Sequence, residues 1–170
     1  AASDVYKRQR LMTHDIVQIG IITGSSDILC HTKRIAGFTE ALTPYQKRMH
    51  IVSIVETQDD EIESYEQTSK LLKAHPEINA LFFAAGGVYG GCRAINSLGL
   101  SGQLCAIAYD KADTTELFLQ KGILSAIICQ QPRIQGQKPL DLLFNYLTSG
   151  ELPDREYYYT AVDIRIFENI

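Results

Sequence analysis

From residue 16 onward, runs of apolar residues and runs of period-3.6 patterning take turns along the chain. "IVQIGIITG" (16–24) is β-branched and closed by glycine, so it predicts a strand. In "ILCHTKRIAGFTEAL" (28–42), Ile28, Ile35, Phe38 and Leu42 fall at helical spacing, and Asp27 is placed to cap the helix. "HIVSIVET" (50–57) predicts the next strand. "DDEIESYEQTSKLLKAH" (59–75) is amphipathic, acidic in its first turn and basic in its last, as the helix dipole prefers, and Pro76 stops it. "NALFFAA" (79–85) reads as a third strand, followed by a helix over 87–98 that ends at Gly99. "LCAIAYD" (104–110), "TTELFLQKG" (114–122) and "LSAIICQQP" (124–132) read as strand, short helix and strand. "PLDLLFNYLTSG" (139–150) predicts a helix and "EYYYTAVDIRIF" (156–167) a long final strand.

Strands alternating with helices of this length predict an α/β fold, a parallel sheet of about five or six strands with helices on both faces. Ligands of such sheets bind outside the carboxyl ends of the strands. The polar residues to watch are therefore Ser25 to Asp27, Thr57 to Asp60, Gly86 and Gly87, Asp110, and Gln130 with Gln131.

The 170 residues suit one domain or a piece of a larger two-lobed protein. With 45% hydrophobic and 21% charged residues, the chain can build a sizeable core. The net charge is −4, and the basic block Lys7-Arg8-Gln9-Arg10 stands alone, which argues against this segment contacting nucleic acid itself. Cys30, Cys92, Cys105 and Cys129 show no zinc or redox spacing, so a reduced, cytoplasmic setting is expected. No apolar stretch is long enough to cross a bilayer, and no membrane partner is expected. "AASDVYKRQRLM" has no strand alternation and little apolar content, so residues 1–12 are expected to be a foreign or disordered leader.

Four glycines in "GGVYGG" (86–91) predict a close approach to this backbone. The spacing fits neither a dinucleotide fingerprint nor a P-loop. Gly90 and Gly91 suit close helix packing, whereas Gly86 and Gly87 sit at a strand tip where bare amides can face a ligand. Arg34 is either a solvated helix residue or a side chain folded back over the cleft, where its guanidinium fork would grip hydroxyls or a carboxylate. Asp110 is either the cap of the next turn or an acceptor for ligand hydroxyls. Gln130 and Gln131 are adjacent on a strand, so at most one lines a given pocket. Cys30 and His31 are neighbours on a helix and do not face each other. No catalytic constellation, metal-ligand spacing or cofactor motif emerges, so no enzyme activity, metal or cofactor is expected.

Taken in order, "IGIITGSSDILCHTKRIAGFTEAL", "ALFFAAGGVYGGCRAINSLGL", "CAIAYDKADTTELFLQKGILSAIICQQP" and "DIRIFENI" resemble the effector-binding region of LacI/GalR-type bacterial transcription regulators. That region shares its fold with the sugar-binding periplasmic proteins. The R-x-x-G-F element matches at Arg34, Gly37 and Phe38, the aspartate after the apolar strand at Asp110, and the glutamine of the return crossover at Gln130. Where the family often carries an Asn-Asp pair, this chain has Ala85 and Gly86, which weakens polar recognition from that loop.

The resemblance covers residues 16 to 170 and implies half of a periplasmic-binding-protein-like domain of type I, with residues 13–170 forming its second lobe. Arg34, Asp110, Gln130, Gly86 and Tyr89 would face a small effector, a sugar in many relatives. Residues 133–150 would form a helix that packs on a first lobe. The implied function is ligand sensing in a LacI-type regulator, with DNA bound through a separate N-terminal helix-turn-helix. A homodimer is implied, with residues 87–98 at or near the interface. The alternative is a binding protein of a sugar transport system or another sensor. A small α/β enzyme using Cys30 or Asp110 is the third reading.

Overall fold

The computed structural model describes residues 15–170. The leader expected over residues 1–12, and the start of the lobe at residues 13 and 14, lie outside the described residues. Strands β1 (Val17–Thr23), β2 (Met49–Glu56), β3 (Ala80–Phe83), β4 (Cys105–Tyr109), β5 (Ala126–Cys129) and β6 (Asp163–Arg165) form one sheet in the order β2-β1-β3-β4-β5-β6. The first five are parallel, and β6 runs antiparallel to β5. Helices α1 (Leu29–Leu42), α2 (Glu61–Ala74), α3 (Val88–Ser97), α4 (Asp113–Gln120) and α5 (Pro132–Ser149) fill the connections.

The strand order reverses direction after β2. Because parallel crossovers are right-handed, the reversal sends α1 to one face and α2, α3 and α4 to the other. Side-chain alternation along each strand supplies both faces. Phe82 of β3 joins Ile19 and Ile21 of β1 under Ile35, Phe38 and Leu42 of α1. Leu81 and Phe83 of β3 join Ile22 and Ile127 under Leu71 of α2, Cys92 and Ile95 of α3, and Phe118 of α4. The carboxyl ends of β1 and β3 bracket the reversal, the place where open α/β sheets leave a crevice.

The second glycine pair packs as its spacing predicts, with a division of labour. A Cβ on Gly90 would lie 1.8 Å from the backbone oxygen of Glu61 in α2, and one on Gly91 would lie 2.1 Å from the ring of Phe83. Gly90 thus admits a neighbouring helix and Gly91 the sheet. Val88, Cys92 and Ile95 are buried within the chain, so the apolar side of α3 is already in use.

Three expectations need correction. Ile28, not Asp27, occupies the N-cap of α1 and makes no side-chain capping bond, because the Asp27 amide turns back to the Ser25 hydroxyl at 3.2 Å. The long strand expected over 156–167 shrinks to Asp163–Arg165, since β5 offers only Ile127 to Cys129 for pairing. The preceding Tyr157 and Tyr159 stand exposed outside the ladder. Finally, α5 starts at Pro132 and continues through Pro139, although that proline has no N–H to give the preceding turn. None of its residues is buried.

Candidate functional site

Arg34 leaves the first half of α1 and reaches the reversal of the sheet. Its Nη1 donates to the carbonyl of Ala84 at 2.9 Å, and its Nη2 stands 3.7 Å from Oδ2 of Asp110. The guanidinium lies over the Tyr109 ring, 4.1 Å from its centroid. Tyr109 in turn packs against Phe82, which stacks on Phe38 of α1. An arginine gripped by a carbonyl, a carboxylate and an aromatic face is held in one pose. The solvated-helix reading of Arg34 is thereby replaced.

Asp110 follows β4 with a left-handed backbone (φ 67°), a conformation Asp tolerates better than most residues. It does not cap α4. That role goes to Thr115, whose hydroxyl accepts the Ala112 amide at 2.8 Å and donates to the carbonyls of Ala112 and Asp110. The Asp110 carboxylate is left for the cleft, with Oδ1 accepting from Nε2 of Gln130 at 2.9 Å. Gln130 extends the network through Gln135 to Thr160, while Gln131 turns away and accepts the Ala161 amide. Both glutamines lie beyond the end of β5 rather than on it, with Gln131 at the N-cap of α5, and Gln130 is the one that reaches Asp110.

The structure therefore brings Arg34, Asp110 and Gln130 together. Gly86 lies at the same strand tip, yet its amide is not bare: it donates to Oδ1 of Asp59 at 2.7 Å. The Gly90 amide is likewise taken, by Oε2 of Glu61 at 2.6 Å. Tyr89 does not join the cluster. It packs on Phe118 of α4, on the opposite side of the sheet from α1, with Arg93 over its ring.

Asp59 lies within the strand-tip stretch Thr57 to Asp60 expected from the sequence, which does not single it out, and His31 is not among the expected site residues. His31 is buried, and its Nδ1 accepts the Ser25 amide at 3.3 Å, which leaves the proton on Nε2. That Nε2 stands 3.9 Å from Oδ2 of Asp59. The tips of β1, β2 and β3 are thus tied around Asp59, and the tips of β3, β4 and β5 around Arg34 and Asp110. Beside Arg34 the sheet surface forms an apolar recess of about 400 Å³ lined by Phe38, Phe82, Ile107, Tyr109 and Ile128. What the row of groups offers is hydrogen bonding. Arg34 donates, Asp110 and Asp59 accept, and Gln130 does both. Three of the four thiols, on Cys92, Cys105 and Cys129, are pushed up by burial and are poor nucleophiles. Among the described residues no cluster of metal-ligating side chains occurs.

No curated protein matches the sequence. Among solved structures, GanP, a glucose-galactose binding protein from Geobacillus stearothermophilus, superposes with a TM-score of 0.84 at 23% identity, over 99% of this chain and 57% of that one. A solute binding protein of an ABC transporter from Burkholderia graminis, in complex with D-arabinose, gives 0.85 at 23% identity over 99% and 57%. AraP, an arabinose binding protein from Geobacillus stearothermophilus, gives 0.80 at 21% identity over 98% and 59%. The chain thus spans less than two thirds of the length of these relatives. Residues 7–152 match the family described as periplasmic binding protein domain. The chain belongs to that periplasmic binding protein family.

Proposed function

We propose that the chain is one sugar-contacting lobe of a two-lobed binding protein that delivers a neutral sugar to a transporter. The observation that carries this reading is the convergence of Arg34, Asp110 and Gln130 at the reversal of the sheet. A sugar hydroxyl both donates and accepts, so a row of fixed donors and acceptors beside an apolar surface suits its alternating polar edge and apolar face. Three structural relatives are described as binding glucose and galactose or arabinose, which supports the transport role over the LacI-type role. In the regulator reading the same lobe would close on an effector and reorient DNA-binding heads, and the protein would work in the cytoplasm. In the transport reading it works outside. A helix-turn-helix encoded in the same gene would favour the regulator reading, and a secretory signal the transport reading.

One lobe of a clamp encloses one side of a ligand, whereas good sites enclose most of it, so this chain should bind sugars weakly. Titration of 15N-labelled chain with D-galactose, D-glucose and D-arabinose should move the side-chain signals of Arg34 and Gln130, with roughly millimolar affinity. If none of these sugars shifts either signal, the sugar reading loses its support. Micromolar affinity would mean that the lobe holds most of the site by itself.

A further inference from the structure

The β2 tip carries a carboxylate in a niche built for it. Gln58 and Asp59 are consecutive non-glycine residues with left-handed backbone (φ 50° and 56°). Such conformations are costly for side-chain-bearing residues and persist where the surroundings impose them. Here the Thr57 and Gln58 amides are anchored to the carbonyls of Thr23 and Gly24. A Cβ on Gly24 would lie 2.4 Å from the Asp59 carboxylate, and one on Gly86 2.9 Å from it. Both positions are glycine where that carboxylate needs the space. One oxygen accepts the Gly86 amide, and the other faces the protonated Nε2 of buried His31. Asp59 is not a helix cap, because Asp60 caps α2 through the amides of Ile62 and Glu63.

We infer that Asp59 is a built-in anion that makes the cleft select neutral sugars over sugar acids and sugar phosphates. Around the same strand tips stand Asp110, which is matched to the cleft cation Arg34, and Glu61, which occupies the Gly90 amide. Two donors that a phosphate or carboxylate could use, the Gly86 and Gly90 amides, are therefore already engaged by the protein's own carboxylates. A ligand anion would meet Asp59, and beyond it the more open Asp110, as like charges, which disfavours it. A hydroxyl has no such conflict and can donate to either carboxylate. The inference rests on the sugar-binding reading for its ligand, and the test separates the two.

The chain, Asp59→Asn and Asp59→Gly are each titrated at constant ionic strength with D-galactose, D-galacturonate and inorganic phosphate, followed by 15N NMR. Both substitutions tolerate a left-handed backbone, so the β2 tip should keep its path. In the parent chain, galactose should bind at least about tenfold more tightly than galacturonate. Asp59→Asn removes the charge and keeps an acceptor on Gly86, so the ratio should fall towards one. Asp59→Gly frees the Gly86 amide, and phosphate should then shift it saturably while leaving it unmoved in the parent chain. Equal binding of galactose and galacturonate by the parent chain, or an unchanged ratio in Asp59→Asn, overturns the inference. If galactose shifts nothing in the parent chain, the sugar reading falls and the phosphate arm alone decides. A Gly86 shift confined to Asp59→Gly then upholds the built-in anion, and a shift in both proteins or in neither refutes it.

Discussion

Arg34 and Asp110 meet across the carboxyl edge of the sheet at 3.7 Å, one from α1 and the other from the left-handed turn after β4. Their side chains differ in exposure, 19% for Arg34 and 60% for Asp110, so the arginine is the fixed partner and the aspartate the solvent-facing one. An ion pair this open contributes little by itself. Its consequence is geometric, because the Arg34 fork is aimed by the Ala84 carbonyl and the Tyr109 ring before any ligand arrives.

Replacing Arg34 should therefore separate binding from stability. Arg34→Lys keeps the charge but loses the planar stack and the fork. The loss of a charged hydrogen bond to Ala84 should cost about 1–2 kcal/mol in urea unfolding. Sugar-induced shifts at Gln130 should vanish. Retained sugar binding in Arg34→Lys would show that the guanidinium plane is not what the ligand reads.

Much of the fold was legible because hydrophobic period and punctuation agreed. β1, β3, β4 and α2 lie where their patterns put them, and Gly99 and Gly122 end helices with positive φ. Arg34, Asp110 and Gln130 could be picked out because each follows, or folds back to, a strand tip. Asp59 could not be singled out. Its left-handed backbone is imposed by anchoring to β1 rather than by glycine, and its partners Gly86 and His31 are remote in sequence. Tyr89 misled because one step of helical phase decides which side of α3 a residue takes, and the phase follows from Gly90 and Gly91 turning inward. The last strand misled because β-branched and aromatic composition says nothing about whether a neighbour has edge left to pair with.

The two helical glycines Gly90 and Gly37 should respond in opposite directions to alanine. At Gly90 the new Cβ meets the Glu61 backbone, which cannot move without parting α2 from α3. A loss of about 3 kcal/mol or more, or failure to fold, is expected. At Gly37 nothing lies within 4 Å, so alanine in mid-helix should raise stability by roughly 0.5–1 kcal/mol. Thermal unfolding of the two variants checks both signs.

Thiol chemistry should divide the cysteines. Cys30 is exposed, while Cys92 is buried, and burial raises the Cys92, Cys105 and Cys129 thiols above their ordinary value of 9.0. One fast-reacting thiol is expected from the native chain with an aromatic disulfide reagent, mapped to Cys30 by mass spectrometry. The raised thiols also carry a pH dependence. Their folded-state values exceed the unfolded ones, so their contribution is whole below the unfolded value and is lost as pH climbs above it. Urea midpoints should fall as pH rises past about 9. Cys92→Ala should reduce the slope of that fall, and an unchanged slope would remove Cys92 from the account.

The last expectation concerns α5, whose Leu140, Leu143, Phe144 and Leu147 stand 54–72% exposed along one stripe. Such spacing is that of a helix face made for burial. Each large side chain left in water forgoes roughly 1.5–3 kcal/mol. The chain spans 57% of the length of two relatives, and a first lobe supplied by the remaining length is the proposed cover. Without that cover, the stripe should drive self-association and bind hydrophobic dye. Leu143→Ser with Phe144→Glu should suppress both effects while changing unfolding free energy by no more than about 0.5 kcal/mol per site, because neither side chain touches the core. Sedimentation and urea unfolding of the double variant read the two quantities separately. A large drop in stability would mean that α5 is part of the packed domain after all, and a monodisperse parent chain at high concentration would mean that the stripe is covered in some other way.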